Sequence, residues 1–286
     1  MLVVVGPRGP ERADPALPLL RADDLGVLRG ESVFETMRVA GGRAAFVDAH
    51  LARLRRSAAR LALELPTLDG LVDAAVAAWP HADGTLRVVV TRGGTAYALL
   101  TPVPATVVAQ RSGVTAVVLT LGVPAALRAA SPWLLGGVKT TSYAVNMAAL
   151  REAAARGAQD VVFASLDGEV LEGPTSTCAW VADGVVVTPP PDEVAILPGT
   201  TMDVALSVLD GPSQVRRGTV DELRRADEVL LLSSVRGIAP VTALDGVPLP
   251  VGPVTRRLQD AFEAAVLRGS QVAAERRGQV AGVDLR

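Results

Sequence analysis

Short apolar runs bounded by turn residues open the chain. Residues 2–5, 32–39 (SVFETMRV) and 43–47 read as strands, the last two joined as a hairpin at Gly41-Gly42. The period then changes. His50, Leu51, Leu54, Ala58 and Leu61 recur every three or four positions, with Arg55, Arg56 and Arg60 mostly on other faces and Asp48 placed as a cap, which predicts an amphipathic helix. A second helix is predicted over 68–79, and strands over 85–92 and 95–101 flank Gly93-Gly94. Residues 102–112 (PVPATVVAQRS) have the composition of a linker. Beyond it come a strand at 114–121, a loop through Pro132 and a short extended apolar segment ending at Val138. A helix over 143–156 and strands near 160–165, 169–171, 177–182 and 185–188 follow. A helix opening at Thr200, a strand over 228–233 and an amphipathic helix from about Pro253 to Leu267 complete the pattern, with no internal repeat visible.

Composition narrows the class. The 286 residues are 49% hydrophobic and only 3% aromatic, and the apolar residues are spread along the whole length, as in a globular chain of two domains or one large one. The formal net charge is -2, and short arginine clusters such as Arg53-Arg55-Arg56 are the densest basic groups, so no nucleic-acid partner is expected. Every apolar run stops short of the roughly 18 residues of a membrane span, and MLVVVGPRGPER lacks the order of a signal peptide. The expectation is a soluble cytoplasmic protein with no membrane partner. Cys178 is the only cysteine, which excludes an intrachain disulfide and a multi-cysteine metal site, and no metal is expected.

The charge count hides a sharper signal: of 28 basic residues, 27 are arginine and Lys139 is the single lysine. Arginine serves wherever a positive charge is wanted, but a guanidinium neither loses its proton readily nor forms an imine. Lys139 is therefore either chemically irreplaceable or the one surface lysine left by an arginine-rich composition. Its context is LLGGVKTTSYAVN, at a junction between an apolar segment and a helix, with Gly136-Gly137 allowing close backbone approach. Partial desolvation there would lower the pKa of an amine from about 10.4 and free it as nucleophile or base. The GGVKTT string is not a phosphate loop, because Val138 and Trp133 stand where that motif needs glycines. A serine or cysteine hydrolase fails on inventory, with only His50 and His81 present and no Gly-x-Ser-x-Gly.

Eight landmarks follow one another in order: GESVFETMRV (30–39), HLARLRRSA (50–58), VTRG (90–93), VKTTSYAVN (138–146), DGEVLEGPTST (167–177), TPP (188–190), ILPGTT (196–201) and LLSSVRGIAPV (231–241). In order and spacing they resemble the fold-type IV pyridoxal-phosphate enzymes, the class IV aminotransferase family, which includes branched-chain and D-amino-acid aminotransferases and 4-amino-4-deoxychorismate lyase. The resemblance implies an α/β (α+β) fold of the D-amino-acid aminotransferase type. Its domains would be a smaller N-terminal α/β domain over 1–110, a linker and interdomain loop over 111–135, and a larger C-terminal domain with a barrel-like sheet over 136–286, binding pyridoxal 5'-phosphate. It further implies a homodimer.

Residue by residue, the resemblance implies that Lys139 is joined covalently to pyridoxal phosphate and then carries a proton. Glu172 would pair with the pyridine nitrogen, Arg53 and Ser234 would reach the phosphate, and Tyr143 would lie near the phenolic oxygen. Thr200 and Thr201 open a helix after a Leu-Pro-Gly turn, a phosphate nest by the residues themselves as well as by resemblance, and equally an ordinary helix cap. Departures exist: Thr177-Cys178-Ala179 stands where relatives commonly place Asn and an aromatic, and Phe34-Glu35-Thr36-Met37-Arg38 replaces the branched-chain Phe-Glu-Gly pattern. Phe34-Glu-Thr with LLSSVRG is closer to aminodeoxychorismate lyase-like members. The expected activity is release of pyruvate from 4-amino-4-deoxychorismate to leave 4-aminobenzoate, with Thr36 positioning or protonating the departing group. Arg38, Arg92 and Arg236 are cationic candidates for substrate carboxylates. The alternative is a class IV aminotransferase acting on branched-chain or D-amino acids with a 2-oxo acid acceptor.

Overall fold

A computed structural model describes residues 1–281, with side chains through Arg268. The chain divides into two compact units. The first comprises Met1–Val103, Lys139–Thr141 and the chain from Glu263 on; the second comprises Pro104–Val138 and Ser142–Phe262.

The first unit is built on an antiparallel sheet of β1 (Leu2–Gly6), β2 (Gly9–Ala13), β3 (Ser32–Ala40), β4 (Arg43–Ala44), β5 (Gly84–Thr91) and β6 (Ala96–Thr101) in the order β2-β1-β6-β5-β3-β4. Its helices are α1 (Leu25–Leu28), α2 (Val47–Arg60) and α3 (Leu71–Ala78). Alternation along β3 sends Val33, Met37 and Val39 into a core shared with Leu54 and Ala58 of α2, while Phe34, Thr36 and Arg38 take the opposite face. The predicted strand 43–47 shrinks to two residues because Phe46 turns into the left-handed region (φ 54) and starts α2. Asp48 consequently sits in the first turn, where its charge favours the helix dipole, and is not the cap.

The second unit contains α4 (Ala105–Ala109), α5 (Ala125–Ala130), α6 (Ala144–Ala155), α7 (Pro191–Val194), α8 (Thr200–Val208) and α9 (Val220–Arg224). Its mixed sheet joins β7 (Val114–Thr120), β8 (Asp160–Ala164), β9 (Thr177–Ala182), β10 (Val185–Thr188), β11 (Ser213–Val215), β12 (Glu228–Ser233), β13 (Gly237–Leu244) and β14 (Val247–Pro248). The strand order is β11-β10-β9-β12-β13-β7-β8, with β14 paired to β13. The pairs β10/β11, β13/β7 and β7/β8 are parallel. The helix α10 (Pro253–Ala281) has residues in both units, and its start is capped by Glu228 on β12, which accepts from the Val254 and Thr255 amides at 3.1 and 2.7 Å.

Three predicted features differ. The 102–112 stretch holds α4 and a 3-10 turn, Gln110–Ser112. The segment before Lys139 is not extended: Pro132–Leu134 form a 3-10 turn, and Leu135 and Gly137 take positive φ (55 and 76). A side chain at 136 would meet the Ala195 carbonyl oxygen at 2.4 Å, so that close approach requires glycine. In place of a strand at 169–171, Glu169 and Val170 form isolated bridges to Thr219 and Ala164.

Candidate active site

Within the first unit the lysine tripeptide is sewn onto β3. The Phe34 amide donates to the Lys139 carbonyl (3.1 Å), the Thr141 amide to the Ser32 carbonyl (3.1 Å), and the Thr140 hydroxyl to the Gly30 carbonyl (3.0 Å). The Lys139 amide in turn donates to Ser57 Oγ on α2 at 3.1 Å. Those bonds fix the lysine backbone on both sides. Its side chain is buried, with Nζ 4.6 Å from the centroid of the Phe34 ring.

Beneath it, on the core face of β3, lies a carboxylate. Glu35 is fully buried and accepts from Arg53 Nε (2.6 Å) and Nη2 (2.8 Å) and contacts His50 Nδ1 at 2.7 Å. Burial alone would raise its pKa, but the hydrogen bonds and charge of Arg53 and His50 outweigh that and lower it to about 2. Burial lowers the pKa of His50, opposed by its bond to Glu35 and assisted by the charges of Arg53 and Lys139. His50, Arg53 and Ser57 share one face of α2, so this helix addresses both Glu35 and Lys139.

In the second unit, Glu172 is joined to the ILPGTT turn. Its Oε2 accepts from the Leu197 amide at 3.2 Å, and its backbone bridges Thr177. Arg128 on α5 donates from Nε to the Ala195 carbonyl (3.0 Å) and brings Nη2 to 3.9 Å from Glu172 Oε1. Three residues beyond Leu197, Thr200 and Thr201 open α8, both buried, and Thr200 Oγ1 has no hydrogen-bond partner. Gly199 precedes them against Thr177, whose Oγ1 would lie 2.2 Å from an added Cβ. Tyr143 is the residue before α6, and Ser234 follows β12; both are half-buried.

The three arginines considered for substrate are each engaged. Arg38 pairs with Glu263 at 2.7 Å, Arg92 with Glu31, and the buried Arg236 with Asp160 at 2.7 Å. Arg236 keeps Nε and Nη2 buried without hydrogen-bond partners. Thr36 lies half-buried on β3, its amide 3.3 Å from Glu35 Oε2. Sequence reasoning missed the roles of Glu35 and Arg128 in these clusters; nothing local marks a pair formed 18 residues apart, and Arg128 was one arginine among 27.

The donor set suits pyridoxal phosphate group by group. A buried amine answers an aldehyde, a carboxylate answers a ring nitrogen, and a helix start carrying an unpartnered hydroxyl answers a phosphate. Cys178 offers no competing nucleophile, since complete burial, with Asp160 adding, raises its thiol pKa to about 12. Among the described residues no group of three His, Cys, Asp or Glu could hold a metal, and no helix is long and apolar enough to cross a membrane.

Comparison with known proteins agrees with this chemistry. The model of the family described as amino-transferase class IV matches residues 32–244. A protein of Mycobacterium tuberculosis named bifunctional aminodeoxychorismate lyase / D-amino acid transaminase is 41% identical over 280 residues, 90% of this chain and 96% of its own length. The solved PLP-bound form of a hypothetical aminotransferase from Mycobacterium tuberculosis superposes with a TM-score of 0.88 at 41% identity, covering 94% of this chain and 99% of that one. A fold IV-transaminase from Curtobacterium pusillum gives 0.86 at 38% identity, covering 93% and 97%.

Proposed function

The chain belongs to the class IV aminotransferase family, and from that premise we propose a pyridoxal-phosphate-dependent lyase that releases pyruvate from 4-amino-4-deoxychorismate and leaves 4-aminobenzoate. The observation that carries this reading is the buried single lysine held by backbone bonds to β3, the strand that also bears Thr36. The 41% identity to a protein named for this activity supports the substrate.

When bound, pyridoxal phosphate supplies an aldehyde for covalent attachment and a ring that withdraws electrons from the reacting carbon. The residues divide the remaining tasks. Lys139 would hold the group covalently and, once released, would move a proton at Nζ. The Glu172 carboxylate, steadied by the Leu197 amide with the Arg128 guanidinium nearby, would bind the ring nitrogen. Thr200, Thr201, Ser234 and Arg53 would hold the phosphate, and Tyr143 would serve the phenolic oxygen. Thr36 orients or protonates the departing enolpyruvyl group. A substrate carboxylate would have to displace Glu263 or Glu31 to take over the bonds of Arg38 or Arg92, whereas Arg236 keeps Nε and Nη2 unpartnered beside its bond to Asp160. With the lyase reading go its finer parts: a cytoplasmic homodimer that supplies 4-aminobenzoate for folate precursor synthesis.

The name of the same relative supports a second reading, transamination of a D-amino acid with a 2-oxo acid. Product analysis decides between them. The lyase reading expects 4-aminobenzoate and pyruvate in equal amounts with no oxo acid added, and a loss of roughly a thousandfold or more in Lys139→Ala. Product that forms only with a D-amino donor and 2-oxoglutarate would replace the lyase with the transaminase.

A further inference from the structure

We propose that Glu35 is a positioning residue for the phosphate-binding guanidinium of Arg53. The inference deepens the reading above and rests on Arg53 facing the cofactor's phosphate. Glu35 occupies a place where β3 calls for an apolar side chain, between Val33 and Met37 on the core face and fully buried. Stability does not explain a carboxylate there, because a buried ion pair exchanged for well-packed apolar residues is often as stable or more so. What the carboxylate supplies is geometry. Two oxygens grip Nε and Nη2 of Arg53 at 2.6 and 2.8 Å, which fixes the plane of the guanidinium and turns its other edge, Nη1 with the second Nη2 hydrogen, away from Glu35. His50, one turn earlier on α2, secures the same carboxylate at 2.7 Å, so Glu35 is itself held from two points of one helix. It stays ionised through the neutral range, so the fork persists there.

Glu35 also neutralises Arg53, and that effect opposes the first: removing the carboxylate would leave a stronger positive field for a phosphate dianion. The proposal holds that orientation outweighs field. Full-length apoprotein, wild type and variants, is titrated with pyridoxal phosphate and with pyridoxal, which lacks the phosphate, while absorbance reports binding and thermal melting reports folding. Glu35→Gln is expected to weaken pyridoxal phosphate roughly 10–100-fold, the range typical for loss of an orienting partner, and to leave pyridoxal within about twofold. In an Arg53→Gln background, where both buried charges are gone, Glu35→Gln should add nothing. Equal loss of both ligands, tighter phosphate-dependent binding in Glu35→Gln, or the same loss on top of Arg53→Gln would each overturn the proposal. If Glu35→Gln does not fold, Glu35→Asp keeps the charge and shortens the reach, and an unchanged ratio of the two affinities there has the same force. An Arg53→Gln protein that keeps the wild-type ratio would instead remove the phosphate reading of Arg53, and the proposal with it.

Discussion

At the scale of single residues, the Glu35–His50–Arg53 cluster makes stability depend on acid. His50 has a folded pKa below its ordinary 6.5, so the unfolded chain binds that proton first. The stability it confers is complete above about 6.5 and drains away as the pH falls further. Glu35 behaves in the same direction at lower pH: its contribution is complete above its ordinary 4.5 and is lost as the pH falls toward 2. The amount at stake for Glu35 is on the order of 3 kcal/mol. Melting temperatures measured between about pH 2 and 8 should therefore fall on the acid side in two stages. His50→Asn, which keeps a donor near the place of Nδ1, should flatten the stage beginning near 6.5 and spare the lower one. Parallel curves for variant and wild type would show that His50 is not the titrating group. Sequence could point to this cluster only in part. Lys139 stood out because nothing else in the chain is a lysine, His50 fell on the helical stripe and Arg53 was marked by the resemblance, but the bonds of His50 and Arg53 to Glu35 are a tertiary fact.

Among the elements, α8 shows how a turn signal becomes a site. ILPGTT announced a helix start, and α8 does begin at Thr200. The reason Gly199 precedes it is invisible in the sequence: an added Cβ would lie 2.2 Å from Thr177 Oγ1 and 3.3 Å from Met202 Cβ. Gly199→Ala should therefore displace Thr177 or the helix start, cost about 1–3 kcal/mol in a denaturation experiment, and weaken pyridoxal phosphate binding in parallel. Full stability together with full affinity would mean that Thr177 simply turns aside. Elsewhere, legibility followed local consistency. The strand 228–233 and the start of the last helix at Pro253 were readable because apolar pattern and turn residues agree there. β13 was not, because Arg236-Gly237 and Pro240 break the pattern of what is a central strand, paired to β12 and β7 and irregular between Val241 and Ala243. α5 escaped because its six residues, shut between Pro124 and Pro132, are too few to establish a period, and its Arg128 is the residue that approaches Glu172.

Over the whole molecule, the distribution of cations makes its chemistry unusually open to test. With one lysine in 286 residues, Lys139 Nζ is their single side-chain primary amine, and the Met1 amine donates to the Leu100 carbonyl at 2.9 Å. Guanidinium groups carry every other side-chain positive charge apart from any protonated histidine, and they form no imine under mild conditions. Borohydride reduction of the protein loaded with pyridoxal phosphate should therefore add one cofactor mass per chain, found by peptide mapping at Lys139. Reductive methylation of the loaded protein should modify Met1 and spare Lys139, and unfolding without cofactor should expose both. Lys139→Arg keeps the charge, so it should leave the melting temperature without cofactor within a few degrees while abolishing the reduced adduct and turnover. That separation is what distinguishes a chemical need for an amine from a structural need for a cation. An adduct carried by Met1, or turnover surviving in Lys139→Arg, would return the lone lysine to a chance of composition and take the assignment of the site with it.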